Sequence, residues 1–369
     1  MTLLDRYLAR EILQPFAAGV LFLTQLLLAT QILAQATILF GSAVSLVDVG
    51  AVVALMMPHF LGFVLPIAFL LGAVLGVGRL AEDREVVALG AAGISTARLV
   101  PVPLVLGVLV AALGLWLAAD VEPVALQAAR DRLVEVVKKN VRSDVRPGTF
   151  YDQIPGYMLY AERVQGGRWE NVLVSDRSDP GAAVLAFARS GRLEPAGGEN
   201  DMRLVLGEGQ VHREEAGKDD YALAEFERGE VVVGLGSLVS DRSGLVRASR
   251  ESFGELSVRA AEARAHGDVA EARKADATWH RKISAPLAVI AFALLAVPLG
   301  ARSVGRALAV GATFGAVVVQ FMLMRACEAL ATRGFLPAVV ALPLPNLLIG
   351  GLGLALTVLQ VRRGPGVVR

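Results

Sequence analysis

The stretch RLAEDREVVALGAAGIS, residues 79–95, interrupts the apolar character of the chain between two long hydrophobic runs. Five of its first seven residues are charged, and small apolar residues follow them directly. This pattern predicts a short helix over about 80–92, joined on both sides to segments that are too apolar to face water. The fold follows from what surrounds this helix.

The composition is that of an integral membrane protein. Of the 369 residues, 54% are hydrophobic and 19% are charged, and the mean hydropathy is +0.55. The first apolar run, 16–40, is longer than the roughly 7–15 residues of a signal-peptide core, which predicts a retained membrane helix. A net charge of +1 gives no electrostatic case for nucleic-acid binding. The lone Cys327 excludes an intramolecular disulfide.

Six apolar runs are long enough to cross a bilayer, which takes about 20 helical residues. They lie at about 16–40, 52–78, 99–119, 283–301, 307–327 and 336–361. The sequence therefore predicts three domains. Residues 1–119 hold the first three membrane helices and the short charged helix, residues 120–282 form a polar insertion, and residues 283–369 hold the last three membrane helices.

Basic residues in the short connections predict the orientation of these helices. Ten arginines lie in the N-terminal segment, the 79–98 loop, the 302–306 loop and the tail, whereas the short connections on the other side hold only Arg333. Both termini are therefore predicted to be cytoplasmic. The 120–282 domain is predicted to be extracytoplasmic, because long domains cross the membrane largely regardless of their charge.

The insertion changes character along its length. A helix is predicted over 123–142, and from Thr149 onward short strand-like runs are separated by turn sequences. The runs are YMLYAERV (157–164), NVLVSD (171–176), AVLAFARSG (183–191), MRLVLGEGQVH (202–212) and YALAEFERGEVVV (221–233). They predict an antiparallel sandwich or jelly roll. Ser252 and Glu255 have capping-box spacing and predict a charged helix leading into the fourth membrane helix.

The predicted fold class is thus an α-helical membrane protein, with six transmembrane helices arranged 3+3 and an inserted extracytoplasmic all-β, jelly-roll-like domain. The sequence has no GxxxxGK[ST] phosphate loop, no HExxH and no GxSxG motif, and its four histidines are scattered. Asp120 and Glu122 are a carboxylate pair at the end of the third run, but residues i and i+2 do not share a helical face. We therefore predict no catalytic residue, no metal and no cofactor.

Four features occur in order along the chain: RYLAREIL (6–13), the 79–95 stretch, the β-domain between the third and fourth membrane helices, and WHRKISAPLAV (279–289). Together they resemble the LptF/LptG (YjgP/YjgQ) permease family of the lipopolysaccharide exporter. Their order and spacing over essentially the whole chain carry the resemblance. The stretches GTFYDQIPGYMLYAERV (148–164) and PLPNLL (343–348) favour the LptF branch over LptG.

The resemblance implies a function, a location and partners. The chain would be one permease of an ABC-type exporter in the inner membrane of a Gram-negative bacterium, paired with a second permease. An LptB-type ATPase dimer would bind the ATP and drive both. The permease would extract lipopolysaccharide from the outer leaflet and pass it through its periplasmic β-domain to LptC and LptA-type β-proteins.

The resemblance also implies that the 79–95 stretch is the coupling helix that meets the ATPase. The expected contacts are Glu82, Asp83, Arg84, Glu85 and Val87, and Glu85 matches the glutamate of the family's coupling helix. Leu80 is expected to pack with Val87 into a groove of the ATPase. The alternative is a solvated loop helix that only satisfies the membrane topology.

Three basic residues near the outer ends of the fourth and fifth membrane helices are predicted to bind a lipid phosphate: Arg281, Lys282 and Arg325. Arginine suits bidentate contact with phosphate, and a cation in an apolar span is costly unless it has a partner or faces a cavity. For Arg325 the alternative is an ordinary ion pair with Glu328. For the other two it is anchoring at the membrane interface beside Trp279.

Gln31 and Gln35 share a polar face of the first membrane helix with Thr24 and are predicted to line a lipid cavity, or else to bond between helices. The resemblance leads us to expect basic residues near the outer end of this helix, and the sequence has none there. Gly72-x3-Gly76 and Gly311-x3-Gly315 have the spacing of close helix packing. Four residues of the β-domain are candidates for a cleft that takes acyl chains, or for ordinary sheet core: Tyr157, Leu159, Phe187 and Phe226.

Two other functions fit the same architecture. One is a membrane-anchored sensory or mechanotransmission protein with a periplasmic β-domain, and the other is a lipid-modifying membrane enzyme. Only the transport function requires an ATPase and a second permease of similar topology as partners.

Overall fold

The computed structural model describes residues 2–34, 45–144, 147–151, 156–165, 167–177, 182–195, 201–215, 221–234, 250–301 and 306–363. The helices are α1 (Leu3–Ala34), α2 (Leu46–Glu82), α3 (Glu85–Ala91), α4 (Pro101–Trp116), α5 (Glu122–Asp144), α6 (Phe253–Ala265), α7 (Val269–Gly300), α8 (Arg306–Arg333), α9 (Ala338–Ala341) and α10 (Leu344–Arg363). A 3-10 helix, Thr96–Leu99, precedes α4, and a π-helical turn, Leu117–Val121, joins α4 to α5.

Within the described residues, six helical stretches are long and apolar enough to cross a membrane. They are Leu3–Leu33, Val47–Glu82, Thr96–Val136, Val269–Gly300, Leu308–Arg333 and Ala338–Arg362. The predicted fold class, six membrane helices with a β-domain between the third and the fourth, is confirmed. The first helix begins at Leu3 rather than near residue 16, and residues 35–40 of the predicted first run lie outside the described residues.

The third membrane helix continues into the helix predicted over 123–142. Pro123 has no amide hydrogen to donate to the preceding turn, which accounts for the wider hydrogen bonding of the π-helical turn before it. The chain therefore passes from α4 to α5 without leaving the helical conformation. The capping box predicted at Ser252 and Glu255 is also present, since each side chain bonds to the backbone N–H of the other residue.

Contacts divide the chain into two compact units. The helix unit comprises Met1–Leu28, Met57–Ala125 and Ala248–Arg369, and its core lies around α2 and α7. In each of these two helices 67% of the most apolar stretch is buried, whereas only 11% is buried in α1 and 22% in α8. Phe69 and Phe292 are the largest fully buried side chains of this core. The faces of α1 and α8 are thus the most open.

The two glycine pairs differ in what surrounds them. A methyl group at Gly72 would come within 2.7 Å of Phe16, and one at Gly76 within 2.8 Å of the Glu11 carbonyl oxygen, so α1 and α2 are in backbone contact. At Gly311 and Gly315 on α8, no described atom lies within 4 Å of the added methyl. The first pair therefore packs helices inside this chain, whereas no described residue fills the space beside the second.

Gly76→Ala is expected to lower the stability of the helix unit by about 1–3 kcal/mol, because the added methyl group has no room beside the backbone of α1. Gly311→Ala is the matched control, since it adds the same group to a membrane helix where space is open. Thermal unfolding of the purified variants in detergent measures the difference. Equal unfolding temperatures for the two variants would contradict the close packing.

The sheet unit comprises Ala29–Met56 and Leu126–Arg247. Its strands are β1 (Thr149–Tyr151), β2 (Tyr157–Gln165), β3 (Arg168–Asp176), β4 (Ala182–Pro195), β5 (Asp201–Glu215) and β6 (Tyr221–Gly234). They form one antiparallel sheet in the order β1-β2-β3-β4-β5-β6, so each strand pairs with the next along the chain. This meander differs from the Greek-key strand order of the predicted jelly roll, because every connection between described strands is a hairpin.

One row of side chains crosses the sheet where the regular pairing is interrupted. The row consists of Glu162, Asn171, Arg189, Glu208 and Glu227, one residue from each of β2 to β6. At this row the alternation of buried residues changes phase. On β3, for example, the buried residues on either side of it are three positions apart, at 169 and 172. One face of the sheet therefore stays apolar on both sides of the row.

Candidate functional site

The charged stretch that was predicted to form one short helix over 80–92 is divided in the structure. Arg79 and Glu82 lie in the last turn of α2, and α3 begins only at Glu85. Between them Arg84 adopts a left-handed conformation with φ of 58°. This conformation interrupts the helical backbone between α2 and α3. Glu85 is therefore the one charged residue within α3 itself.

The residues predicted to contact an ATPase differ in how far they are exposed. Leu80 is fully buried in the core of the helix unit, so it is not available to a groove on another protein. Val87 is 52% exposed. Glu82, Asp83 and Arg84 are exposed as well, and Glu85 is half-buried. The structure thus presents a charged turn followed by an exposed valine on the first turn of α3.

Polar contacts join this region to the start of α1. The Tyr7 hydroxyl donates to a Glu85 carboxylate oxygen at 3.1 Å, and Arg79 pairs with Glu11 at 2.8 Å. Sequence reasoning missed both contacts. The partners are 78 and 68 residues apart, and no local pattern in the sequence relates them.

Two of the basic residues predicted to bind lipid meet at one carboxylate. Arg281 on α7 and Arg325 on α8 each lie 3.2 Å from Glu328, contacting different oxygens. The Arg325 side chain remains 58% exposed and its guanidinium lies 5.3 Å from the centre of the Phe321 ring. The ion pair with Glu328 that was the alternative is thus present, and it leaves the Arg325 guanidinium accessible.

Lys282 has different surroundings from its neighbour Arg281. Its side chain is 8% exposed, and its ammonium donates to the Glu251 backbone carbonyl at 2.7 Å. A second contact between α6 and α7 lies nearby, where the Phe253 and Trp279 rings pack edge to face with their centroids 5.4 Å apart. Lys282 therefore holds the chain entering α6 against α7, which leaves little of its ammonium for a lipid phosphate.

The structure describes part of the polar face predicted on the first membrane helix. Thr24 is 5% exposed and Gln31 is half-buried, both on α1. Gln35 lies outside the described residues. Amides bond between helices elsewhere in this unit: Gln320 on α8 donates to Asn346 on α10, which in turn donates to the Ser284 carbonyl on α7.

A cavity of about 650 Å³ opens on the sheet beside the interrupted row. Its wall includes Phe187 and Phe226 from the predicted acyl-chain cleft, together with Tyr160 and Leu173. Leu159 is instead fully buried, and Tyr157 is not part of the wall. The polar rim includes an ion pair of 2.9 Å between Arg189 and Glu208. The cavity thus offers an apolar floor with charged groups at its edge.

The carboxylate pair weighed for catalysis does not act as a pair. Asp120 lies in the π-helical turn, and Glu122 bonds to His59 on α2 with 2.8 Å between Nδ1 and Oε1. In the part of the chain that the structure describes, no group of three or more histidine, cysteine or acidic residues is placed to hold a metal. The His59–Glu122 bond instead ties α2 to the end of the third membrane helix.

Comparison with known proteins assigns the chain to a family. A family model described as lipopolysaccharide export system permease LptF/LptG matches residues 6–358, and no curated protein matches. The match confirms the predicted family, and one model describes both LptF and LptG, so the choice of LptF stays a prediction. Six candidate membrane helices and membership of a permease family fit a multi-pass inner-membrane protein. The chain belongs to the LptF/LptG family of lipopolysaccharide export permeases.

Proposed function

We propose that this chain is the permease subunit of an ABC-type exporter that extracts lipopolysaccharide from the outer leaflet of the inner membrane. A separate LptB-type ATPase dimer drives the cycle, a second permease completes the membrane part, and the β-domain passes lipid to LptC and LptA-type β-proteins. The family match over residues 6–358 carries this proposal. The sequence itself has no phosphate-binding loop, so the ATP must be bound elsewhere.

The coupling surface comprises Glu82, Asp83, Arg84, Glu85 and Val87. Its exposed charges and the exposed Val87 give polar and apolar contacts within two turns of chain. The excess of arginines on this side of the membrane supports a cytoplasmic location, where the ATPase would be. A partner bound at this surface would push on α2 and α4 together, since α3 and the 3-10 helix join them.

For the lipid we propose that Arg325 and Arg281 contact a phosphate. Arg325 is the more accessible of the two, and a phosphate could share both guanidinium groups with Glu328 or displace that carboxylate. Lys282 has a positioning role in this arrangement, because its ammonium is committed to the Glu251 carbonyl. Gln31 and Gln35 stay predicted contacts of the lipid on the first helix.

Purification from membranes tests the proposal. Affinity capture of this chain should bring down a P-loop ATPase and a second permease of similar topology. Capture without either protein would refute the exporter and favour the sensory or enzymatic alternatives. The open face of α8, with Gly311 and Gly315, is the surface of this chain on which a second permease has room to pack closely.

Photocrosslinkers in the β-domain are expected to trap lipopolysaccharide during ATP-driven export. A probe at Phe187, which lies in the cavity wall and is exposed, should capture the lipid, because acyl chains need an apolar surface on their path. Arg192 is the matched control, since it is exposed on the same strand but outside the cavity wall. Probes on β1 and β6, the two edge strands, should capture a periplasmic β-protein.

The outcome that would contradict this path is specific. If the probes at Phe187 and Arg192 capture equal small amounts of lipid with ATP and without it, lipid does not cross this cavity. If probes on neither edge capture a protein, the sheet does not extend into a bridge.

A further inference from the structure

Residues 2–12 lie against the segment 79–99, which runs from the last turn of α2 to the start of α4. Asp5, Leu8 and Ile12 fall on one face of α1, with spacings of three and four residues. Leu8 and Ile12 are fully buried, in the same core cluster as Leu80 and Leu99 from the two ends of that segment. The start of α1 is therefore part of the core there.

Three polar contacts join the start of α1 to the segment 79–99. Glu11 pairs with Arg79 at the end of α2, Tyr7 bonds to Glu85 at the start of α3, and Asp5 pairs with Arg98 in the 3-10 helix. The Glu11 and Asp5 side chains are only 11% and 14% exposed, so both acids are largely shielded from water. The three partners cover the segment from one end to the other.

The contact at Arg98 includes the cap of α1. Asp5 accepts a hydrogen bond of 2.8 Å from the Thr2 backbone N–H while it pairs with Arg98 at 2.8 Å. Arg98 also donates to the Thr2 hydroxyl at 3.3 Å. One arginine thus binds the helix end itself, not only a side chain upon it, and the first turn of α1 cannot shift without breaking these bonds.

Farther along, α1 exposes more of its large side chains. The close contacts with α2 involve Glu11, Phe16 and Gly19, whereas four large side chains beyond them are exposed: Leu21, Phe22, Leu26 and Leu33. At about 1.5 Å per residue, the portion beyond Gly19 extends for more than 20 Å. Because this portion is longer than the part fastened at the base, a small rotation of the base displaces the far end of α1 by a larger distance.

We infer that residues 2–12 are a strap that fastens α1 to the segment 79–99, so that a displacement of α3 moves α1 together with α2 and α4. This inference rests on the proposed function for the source of the displacement, an ATPase bound at the coupling surface. Asp5, Glu11, Arg79 and Arg98 are positioning residues in this arrangement. They transmit the movement to α1 and do not touch ATP or lipid.

Breaking the strap by substitution and rejoining it with a crosslinker tests the inference. Glu11→Cys and Arg79→Cys are combined in a Cys327→Ala background, and the permease with its ATPase is reconstituted in vesicles containing lipopolysaccharide. With both thiols reduced, lipid exported per ATP hydrolysed should fall about tenfold, the effect of losing one charge-assisted contact. A rigid dimaleimide that joins the two cysteines should restore export, because the elements are expected to move as one body.

The control is Arg10→Cys combined with Arg79→Cys, since Arg10 is exposed and lies next to Glu11, about 100° around α1 from it. Crosslinker should not restore export in this control. The inference is overturned if the reduced Glu11→Cys, Arg79→Cys protein exports at the wild-type ratio. It is equally overturned if joining the two cysteines leaves export at the reduced level or stops it.

A second measurement separates the strap from the proposed function. Spin labels at Leu3 and Ala91, both exposed, report the distance between α1 and α3 in detergent without ATPase or lipid. The distance distribution should be narrow in the otherwise native protein and should broaden when Arg79→Gln and Arg98→Gln are added. An unchanged distribution overturns the strap, whereas a wild-type protein that exports no lipid refutes only the proposed function.

Discussion

Glu85→Arg is expected to uncouple ATP hydrolysis from lipopolysaccharide export while the protein still inserts, folds and pairs. Glu85 is the first residue of α3, and a cation there would meet whatever basic groups of the ATPase accept the acid. Like charges brought together at an interface cost several kcal/mol, or more than a hundredfold in binding. The variant should therefore lose both ATPase binding and export in reconstituted vesicles.

Tyr7→Phe is the control that separates the two roles of Glu85. It removes the one hydrogen bond that the Tyr7 hydroxyl makes to the Glu85 carboxylate and leaves the charge in place. Because a carboxylate has several acceptor sites, Glu85 can serve the ATPase in this variant as before. ATPase binding should stay near the wild-type level in Tyr7→Phe. Wild-type binding and export by Glu85→Arg would show that the ATPase docks elsewhere.

Arg325→Ala is expected to weaken capture of lipopolysaccharide about ten- to hundredfold, with Arg325→Lys retaining part of the affinity. A charge-assisted contact with phosphate contributes roughly 1.5–3 kcal/mol, which corresponds to that range. Lysine keeps the charge but loses the planar pair of donors. Lipid binding to purified protein in detergent is the measurement, and equal binding by wild type and Arg325→Ala would rule out the contact.

Glu328→Gln distinguishes a phosphate contact from a structural ion pair. Glu328 binds both Arg325 and Arg281, so removing its charge leaves two arginines with a weaker competitor for phosphate. If the arginines serve the lipid, Glu328→Gln should bind it at least as tightly as wild type. If their role is structural, the variant should instead unfold at a lower temperature and resemble Arg325→Ala.

The outline of the fold could be predicted from the sequence because membrane insertion depends on length and hydropathy, which are local properties. The six apolar runs appear as six helices, and the strand-like runs between residues 157 and 233 appear as strands. The order in which the strands pair was not predicted: the sequence suggested a sandwich or jelly roll, and the structure has a meander. A sandwich and a meander can have strands of the same length and spacing, and only the pairing distinguishes them.

The site residues show the same division. The exposed acids and Val87 on the coupling surface follow from charge and helical spacing, but the burial of Leu80 does not, because it depends on α1 and the other helices of the core. Arg281 and Lys282 are adjacent and equally basic in the sequence. Arg281 pairs with Glu328 on α8, whereas Lys282 is buried under the chain entering α6.

The sequence by itself determined that this is a six-span permease of the LptF/LptG family with an inserted β-domain. Periodicity, the length of apolar runs and the order of short motifs depend only on residues that are close together in the sequence. Only the tertiary structure decided that α1 is fastened to the segment 79–99 through Glu11, Asp5 and their arginines. Those partners lie more than 60 residues apart. A charged side chain near the membrane gives no sign of its partner until packing brings the helices together and removes water from between them.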